Sequence, residues 1–273
     1  HLFQRSGHVL QPFGKAVADR VETELAEQGV TVHTDTPVEA LRGEERIEAV
    51  AFDGGEIEVD LAIVGVGIRP NTELLDGTGV ELGESGAIRT DEFGRTNRQN
   101  VYAAGDCATA RHTVTGEETW MPLGLTANRS GRAIGATVGG EETPVGDIAS
   151  TAVVKAFEME CGRVGLLHEE SAREAGFDPV RETVTAGSRS GYYPGNAETD
   201  VTLVADRETG KLLGGSIVGS DRAAVRIDTL ATALDADMTV AEVERLDLAY
   251  APPFSPVWDP VLVAAKVLNG QLD

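Results

Sequence analysis

The chain has 273 residues, 41% of them apolar and 25% charged, which are the proportions of a globular protein with room for a sizeable core. Acidic residues number 45 against 23 basic ones, and the formal net charge of −22 disfavours nucleic acid or an anionic membrane as a partner. No run approaches the roughly 18 apolar residues of a membrane span, and two cysteines, Cys107 and Cys161, are too few and too far apart for a disulfide framework or a zinc site.

The acidic excess is spread along the chain and lysines are scarce, which is the expected surface of a protein from a high-salt cytoplasm. The N-terminus lacks a basic region followed by an apolar stretch, so a soluble, cytoplasmic protein is expected. The sequence starts at His1-Leu2-Phe3 as if in mid-strand, and a truncated chain is expected.

In chain order, Leu2 to Gln4 reads as the end of a strand. Val17, Val21 and Leu25 recur at helical spacing between Gly14 and Gln28, with Gly29 as the stop. Val30 to His33 follows as a strand. Val38 to Leu41, Ile47 to Phe52 and Glu56 to Val59 predict a small antiparallel run turning at Asp53-Gly54-Gly55. Asp60 to Ile68 predicts a buried strand closing in a glycine-rich loop, Gly65-Val66-Gly67-Ile68-Arg69-Pro70-Asn71. This order is that of the second half of a dinucleotide-binding domain, yet no G-x-G-x-x-G occurs anywhere.

After loops over 72 to 95, Thr96 to Asp106 reads as a buried parallel strand, Val101 to Ala104, that delivers Gly105 and Asp106 to a ligand. Glycine lets the backbone approach closely, and the carboxyl end of a strand is where open α/β sheets bind cofactors. Pro122 leads into a helix from about Thr126 to Val138, whose Ala127, Gly131, Gly135 and Gly139 predict a face of small residues open to another backbone, with an N-terminus that favours an anion or an electron-rich ring. Glu141 to Gly146 reads as a linker. Strands with polar alternation are then expected at 152–157, 163–167, 180–186, 201–205 and 212–218. The last two join at Arg207-Glu208-Thr209-Gly210. Helices are expected over 223–234, with Val225, Thr229 and Thr232 or Ala233 inward, over 240–246 after the cap Thr239, and over 259–268. His8, His33, His112 and His168 lack ligand spacing and are expected at the surface, and no metal site is expected.

G-V-G-I-R-P-N at 65–71, T-N-R-Q-N-V-Y-A-A-G-D at 96–106, the small-residue helix from 122 and the terminal α+β part fall in the order of the flavin- and pyridine-nucleotide-dependent disulfide oxidoreductases, which the chain resembles over its whole length. The resemblance implies an α/β fold of partial, doubly wound FAD- and NAD(P)-binding domains followed by an α+β dimerisation domain. Residues 1–71 would close the NAD(P) domain, 72–143 the FAD domain, and 144–273 form the dimerisation domain. It also implies that Asp106, beside Gly105, binds the ribitol of FAD, with Asn97, Ala104, Leu123 and Gly124 around the flavin and Gly65 and Gly67 along the nicotinamide nucleotide. Gln4-Arg5 stands where an acidic residue would bind the NAD ribose, so Arg5 tilts the expectation from NADH towards NADPH.

In the terminal domain the H-P-T-x-x-E motif of the glutathione-reductase-like branch is missing. The stretches Leu248 to Pro260 and Ser190 to Gly195 resemble the branch of coenzyme A disulfide reductases and NADH oxidases instead. By that resemblance Tyr250 and Tyr193 assist catalysis from across a homodimer, Tyr250 also touching FAD, while Tyr193, Asn128 and Trp258 contact the substrate; many relatives carry His at the place of Asn128. A phenol can hydrogen-bond a thiolate or a flavin oxygen. The expected reaction passes electrons from NADPH or NADH through FAD to coenzyme A disulfide or a coenzyme A persulfide. Its redox cysteine is expected upstream, and Cys107 and Cys161 are expected to be inert. The alternatives are an NADH oxidase that reduces oxygen and a non-catalytic dimerisation and cofactor scaffold.

Overall fold

The structure, a computed structural model, describes residues 1–272. In chain order the elements are β1 (Leu2–Phe3), α1 (Lys15–Glu27), β2 (Val32–His33), β3 (Val38–Arg42), β4 (Ala49–Phe52), β5 (Gly55–Glu58), β6 (Ala110–Arg111), β7 (Glu118–Thr119), α2 (Gly124–Val138), β8 (Ala152–Ala156), β9 (Met159–Gly165), α3 (Glu169–Glu174), β10 (Pro179–Gly187), β11 (Glu198–Asp206), β12 (Leu212–Gly219), α4 (Ile227–Asp235), α5 (Val240–Glu244) and α6 (Pro260–Asn269). Contacts gather them into two units. One comprises His1–Gly65 with the chain from Val153 onward, and the other Val66–Ala152. No helix among the described residues is long and apolar enough to cross a membrane.

The first unit is built on an antiparallel sheet of order β10-β11-β12-β9-β8. Every residue of β12, and every residue of β11 except Glu198, is buried. Because successive side chains point to opposite faces, both faces of these strands are covered. The polar alternation expected for them is therefore wrong at the sheet's centre, where Thr199 and Thr202 are as buried as Leu203. Helix α4 packs on β12 and β9, α6 on β10 and β11, and α1 on β9, β11 and β12. The core side chains Leu203, Leu212, Ile217, Ile227, Leu230 and Leu268 meet there.

Helix α1 buries Val17, Val21 and Leu25, the spacing read from sequence. On the same helix Arg20 reaches β11, donating to the Asp200 carboxylate through Nε (2.7 Å) and Nη2 (3.0 Å) and to Glu198 (2.9 Å). Burial alone would raise the pKa of Asp200. The hydrogen bonds from Arg20 and from Thr185 Oγ (2.6 Å) outweigh it and hold the carboxyl below its ordinary value. Strands β1 and β2, on either side of α1, pair in parallel. Strands β3, β4 and β5 form the expected meander, turning at Gly54 and Gly55 with φ of +112° and +154°, a backbone region that glycine adopts freely.

Two expectations fail in this unit. The helix expected from 223 begins as a 3-10 turn, Ala224–Arg226, and only then becomes α4. A 3-10 turn has three residues per turn, so it rotates the inward face relative to an uninterrupted α-helix. Ile227, Leu230, Ala233 and Leu234 point inward, and Val225 is 61% exposed. The second failure is Asp60 to Ile68, which forms no strand. Among the described residues nothing offers it a ladder, and Ile63 and Val66 are 90% and 91% exposed. An apolar run without a hydrogen-bonding neighbour cannot become a buried strand.

In the second unit the expected parallel strand at 101–104 is an antiparallel turn. Thr96 N–H donates to the Val101 carbonyl (3.0 Å), Ala103 N–H to Gly94 (3.0 Å), and Arg95 bridges Tyr102. Helix α2 forms as expected, two residues earlier. Its buried face is Ser130, Ala133, Ile134 and Thr137, while Gly131 and Gly135 have open space where a Cβ would stand. The Gly105 backbone lies against Ala127 at the start of that face, while Gly131 and Gly135 have no neighbour there among the described residues. His112 is buried rather than superficial, and its Nδ1 accepts from the Val114 N–H (3.3 Å).

Candidate functional site

Candidate residues lie in each unit. In the second, Ala104 is extended and Gly105 turns to a φ of +84°, which an L side chain rarely adopts. The Gly105 N–H donates to Ser130 Oγ (3.1 Å), and Ser130 donates to the Ala127 carbonyl (3.2 Å), so the turn is fixed to the first half of α2. Trp120 Nε1 donates to the Asp106 carbonyl (2.8 Å), tying the turn to the segment that enters the helix. These bonds take the Gly105 N–H and the Asp106 carbonyl, and the exposed Asp106 carboxylate has no partner among the described residues.

Beside this turn α2 begins at Gly124, and its cap residue Leu123 supplies no side-chain acceptor. The first N–H groups of the helix, with their partial positive charge, are thus uncapped by any side chain. A free acceptor carboxylate, a glycine turn and an uncapped helix start suit a polyhydroxylated, anion-bearing ligand such as the ribityl chain and ring of a flavin. On the other side of Gly105 lies a cavity of about 540 Å³ lined by Gly94, Arg95, Asn97, Thr126 and Ser130 among others. Asn97 lines it, yet its amide is engaged: Oδ1 accepts from Glu81 N–H and Nδ2 donates to the Gly79 carbonyl, both at 3.0 Å.

In the first unit, Tyr193 is half-buried in a turn closed by its N–H on the Ser190 carbonyl (2.8 Å). Tyr250 is exposed and precedes a tight turn in which the Phe254 and Ser255 N–H groups both donate to the Ala251 carbonyl (2.8 and 3.1 Å). Trp258 is half-exposed with Lys266 Nζ 5.2 Å from its ring centroid. Asp259 begins α6 as its N-cap, accepting from the Val261 N–H (3.0 Å).

The turn Ala104 to Asp106 thus packs on α2 through Ala127 and Ser130, and Leu123 and Gly124 open that helix. Asn128, on α2, is exposed and points away from the buried face. Gly65 and Gly67 lie in the exposed extended segment, and Arg5 is exposed with no ion pair among the described residues. Cys161 is fully buried in β9, and burial pushes its thiol up to about 12, which leaves it protonated and inert. Cys107 is half-buried, with Sγ 3.4 Å from the Ala104 carbonyl. Ser130 and Trp120 were not singled out from sequence. A lone serine on the helix face opposite Asn128, Arg129 and Arg132 is the signal that marks the former.

A glycine turn packed on a helix in one unit, and a five-stranded antiparallel sheet in the other, suit a nucleotide-dependent flavoenzyme. Two family models match: pyridine nucleotide-disulphide oxidoreductase over residues 1–131, and the dimerisation domain of the same family over residues 151–260. The chain belongs to the pyridine nucleotide-disulphide oxidoreductases. It is 40% identical over 270 residues to a CoA-dependent NAD(P)H sulfur oxidoreductase of Pyrococcus furiosus, covering 98% of this chain and 60% of that relative. It is 43% identical over 257 residues to an NAD(P)H coenzyme A polysulfide/persulfide reductase of Pyrococcus horikoshii, covering 94% and 57%. The solved structure of an NAD-dependent persulfide reductase from A. fulgidus superposes with a TM-score of 0.93 at 35% identity, covering 98% of this chain and 50% of that one. The chain therefore spans between half and three-fifths of the length of these relatives.

Proposed function

We propose that this chain supplies the flavin-ribityl turn, the flavin-side helix and the substrate-facing tyrosines of an NAD(P)H-dependent flavoprotein that reduces coenzyme A disulfide or a coenzyme A persulfide. The observation that carries this reading is the Gly105–Asp106 turn, anchored by Ser130 at the Gly105 N–H and by Trp120 at the Asp106 carbonyl, while the Asp106 carboxylate has no partner among the described residues. The coenzyme A chemistry in the names of the two Pyrococcus relatives supports the choice of acceptor. When bound, FAD supplies a relay between a hydride donor and a thiol–disulfide couple. For the disulfide the balance is one NAD(P)H and one proton consumed and two coenzyme A thiols released.

Asp106 accepts hydrogen bonds from ribityl hydroxyls, and Gly105, with Ala104 before it, keeps the backbone close enough for that contact. Leu123 and Gly124 present the helix N–H groups to the electron-rich edge of the ring. Asn97 acts indirectly, by fixing the loop at Gly79 to Glu81. Gly65, Gly67 and Arg5 face the pyridine nucleotide, and the unpaired Arg5 favours NADPH over NADH. Tyr193 and Tyr250 donate phenolic hydrogen bonds to the substrate sulfur or its thiolate, with Trp258 and Asn128 at the substrate's flank. The redox thiol comes from outside these residues, since Cys161 is buried and protonated.

The working form is a homodimer in a high-salt cytoplasm, with nucleic acid and membrane excluded as partners by the −22 charge. The exposed apolar side chains Tyr192, Phe254, Val257 and Trp258 are the surface that dimerisation would cover. Residues 1–71 serve the nucleotide, 72–143 the flavin, and 144–273 the dimer. The test is anaerobic turnover by the holoenzyme. NAD(P)H oxidation should require coenzyme A disulfide or persulfide and yield free thiol; oxidation that instead consumes oxygen stoichiometrically would assign an oxidase, and a colourless protein would assign a scaffold.

A further inference from the structure

The two tyrosine-bearing segments are far apart in sequence, and one side chain grips both. Arg226 ends the 3-10 turn that leads into α4, and its side chain is 10% exposed. Its Nη2 donates to the Ser188 carbonyl (2.8 Å), two residues before the turn that carries Tyr192 and Tyr193, and to the Phe254 carbonyl (3.3 Å), in the turn that follows Tyr250. Its Nε donates to Asp259 Oδ2 (2.9 Å), whose carboxylate also takes Ser255 Oγ (3.0 Å) and caps α6. Its Nη1 donates to the carbonyls of Asp221 (3.3 Å) and Arg222 (3.1 Å).

The Asp221 carboxylate in turn holds Arg189 through two bonds of 2.6 Å and Ser188 Oγ at 2.8 Å. Arg189 also donates to the Pro194 carbonyl (3.3 Å), which closes the Tyr193 turn from its far side. A buried guanidinium and carboxylate contribute little net stability compared with an apolar filling of the same space. What the fork geometry of arginine does supply is a fixed arrangement of several acceptors at once, which an ammonium cannot reproduce.

We propose that Arg226 is a positioning residue that holds the Tyr193 turn and the Tyr250 loop in one register, so that both phenols meet the same substrate. This rests on the reading that Tyr193 and Tyr250 serve the substrate. Misplacement by about 1 Å of a group that acts in the transition state costs roughly 10- to 100-fold in rate.

The experiment uses the holoenzyme with Arg226→Lys, Asp259→Asn, Tyr193→Phe, Tyr250→Phe, the Tyr193→Phe/Tyr250→Phe pair and that pair with Arg226→Lys added. Arg226→Lys should lower kcat for coenzyme A disulfide roughly 10- to 100-fold with KM within about 3-fold of wild type. Flavin content and NAD(P)H oxidation by ferricyanide, which needs neither phenol, should not change. Chymotryptic cleavage after Tyr192, in the same turn as Tyr193 but not followed by proline, and after Tyr250 should rise together, and adding Arg226→Lys to the Tyr193→Phe/Tyr250→Phe pair should slow turnover no further. The proposal is overturned if Arg226→Lys leaves kcat within about 2-fold while the tyrosine variants fall, or if its effect multiplies with that of the Tyr193→Phe/Tyr250→Phe pair.

If Arg226→Lys does not accumulate as folded holoenzyme, Asp259→Asn, which keeps the helix cap, is judged by the same criteria. Full coenzyme A disulfide turnover in both tyrosine variants would defeat the functional reading instead. The register claim would then stand or fall on the paired cleavage.

Discussion

Gly105→Ala separates backbone strain from crowding at the candidate flavin turn. A Cβ built on Gly105 would lie 3.7 Å from Ala127 Cβ, an ordinary contact, so the neighbours exact no penalty. The cost is the φ of +84°, where an L residue stands about 1–2 kcal/mol above its relaxed state. If the turn relaxes to negative φ it loses the Gly105–Ser130 hydrogen bond, roughly 0.5–1.5 kcal/mol. The turn takes whichever route costs less, so the expected loss is about 0.5–2 kcal/mol, appearing as a fall of a few degrees in melting temperature and a roughly 2- to 30-fold weaker flavin affinity. Asparagine tolerates left-handed backbone better, so Gly105→Asn should lie between alanine and wild type. Thermal unfolding followed by flavin titration of the three proteins measures both effects. An alanine variant equal to wild type in both, or an asparagine variant worse than alanine, refutes the assignment of the cost to φ.

Other perturbations have equally definite outcomes. The Asp200 carboxyl is held below its ordinary value by Arg20 and Thr185 against the opposing effect of burial. Its contribution, about 1–2 kcal/mol because Arg20 stays 38% exposed, is therefore present above the unfolded carboxylate pKa and lost as pH falls through the lower folded value. Unfolding curves of wild type and Asp200→Asn should converge on acidification, and a gap that stays constant down to acid unfolding would contradict this. Leu230→Ala, at a fully buried position of α4, should cost about 2–5 kcal/mol in denaturant unfolding without changing the midpoint's cooperativity. Thr239→Ala removes half of the capping box with Glu242 at α5 and should cost about 1 kcal/mol; Thr239→Ser should recover most of it.

The order of elements, the α1 stripe, the hairpin at Gly54-Gly55 and the cap at Thr239 were legible because each is encoded within a few residues. Three features were not, each for a physical reason. Asp60 to Ile68 has the composition of a buried strand, but pairing depends on a neighbour that local composition does not report. Val225 was placed inward because a 3-10 turn resets helical phase without any marker in the apolar pattern. Ser130 hides in a helix whose glycines suggest a different face, and its importance comes from a bond to Gly105, 25 residues away. Asp106 stands out in the sequence through the order of motifs around it, but its unpartnered carboxylate emerges only in the structure, where Trp120 takes its carbonyl. The Arg226 grip was out of reach of sequence reading, because it joins Ser188, Phe254 and Asp259 through contacts of long range.

The flavin content of the purified holoenzyme carrying Asp106→Ala tests the central claim most directly, with circular dichroism alongside to establish that the fold is kept. The account predicts a folded protein that loses most of its bound flavin and regains it only partly when FAD is added in excess. A folded Asp106→Ala holoenzyme that retains flavin at the wild-type ratio would contradict it.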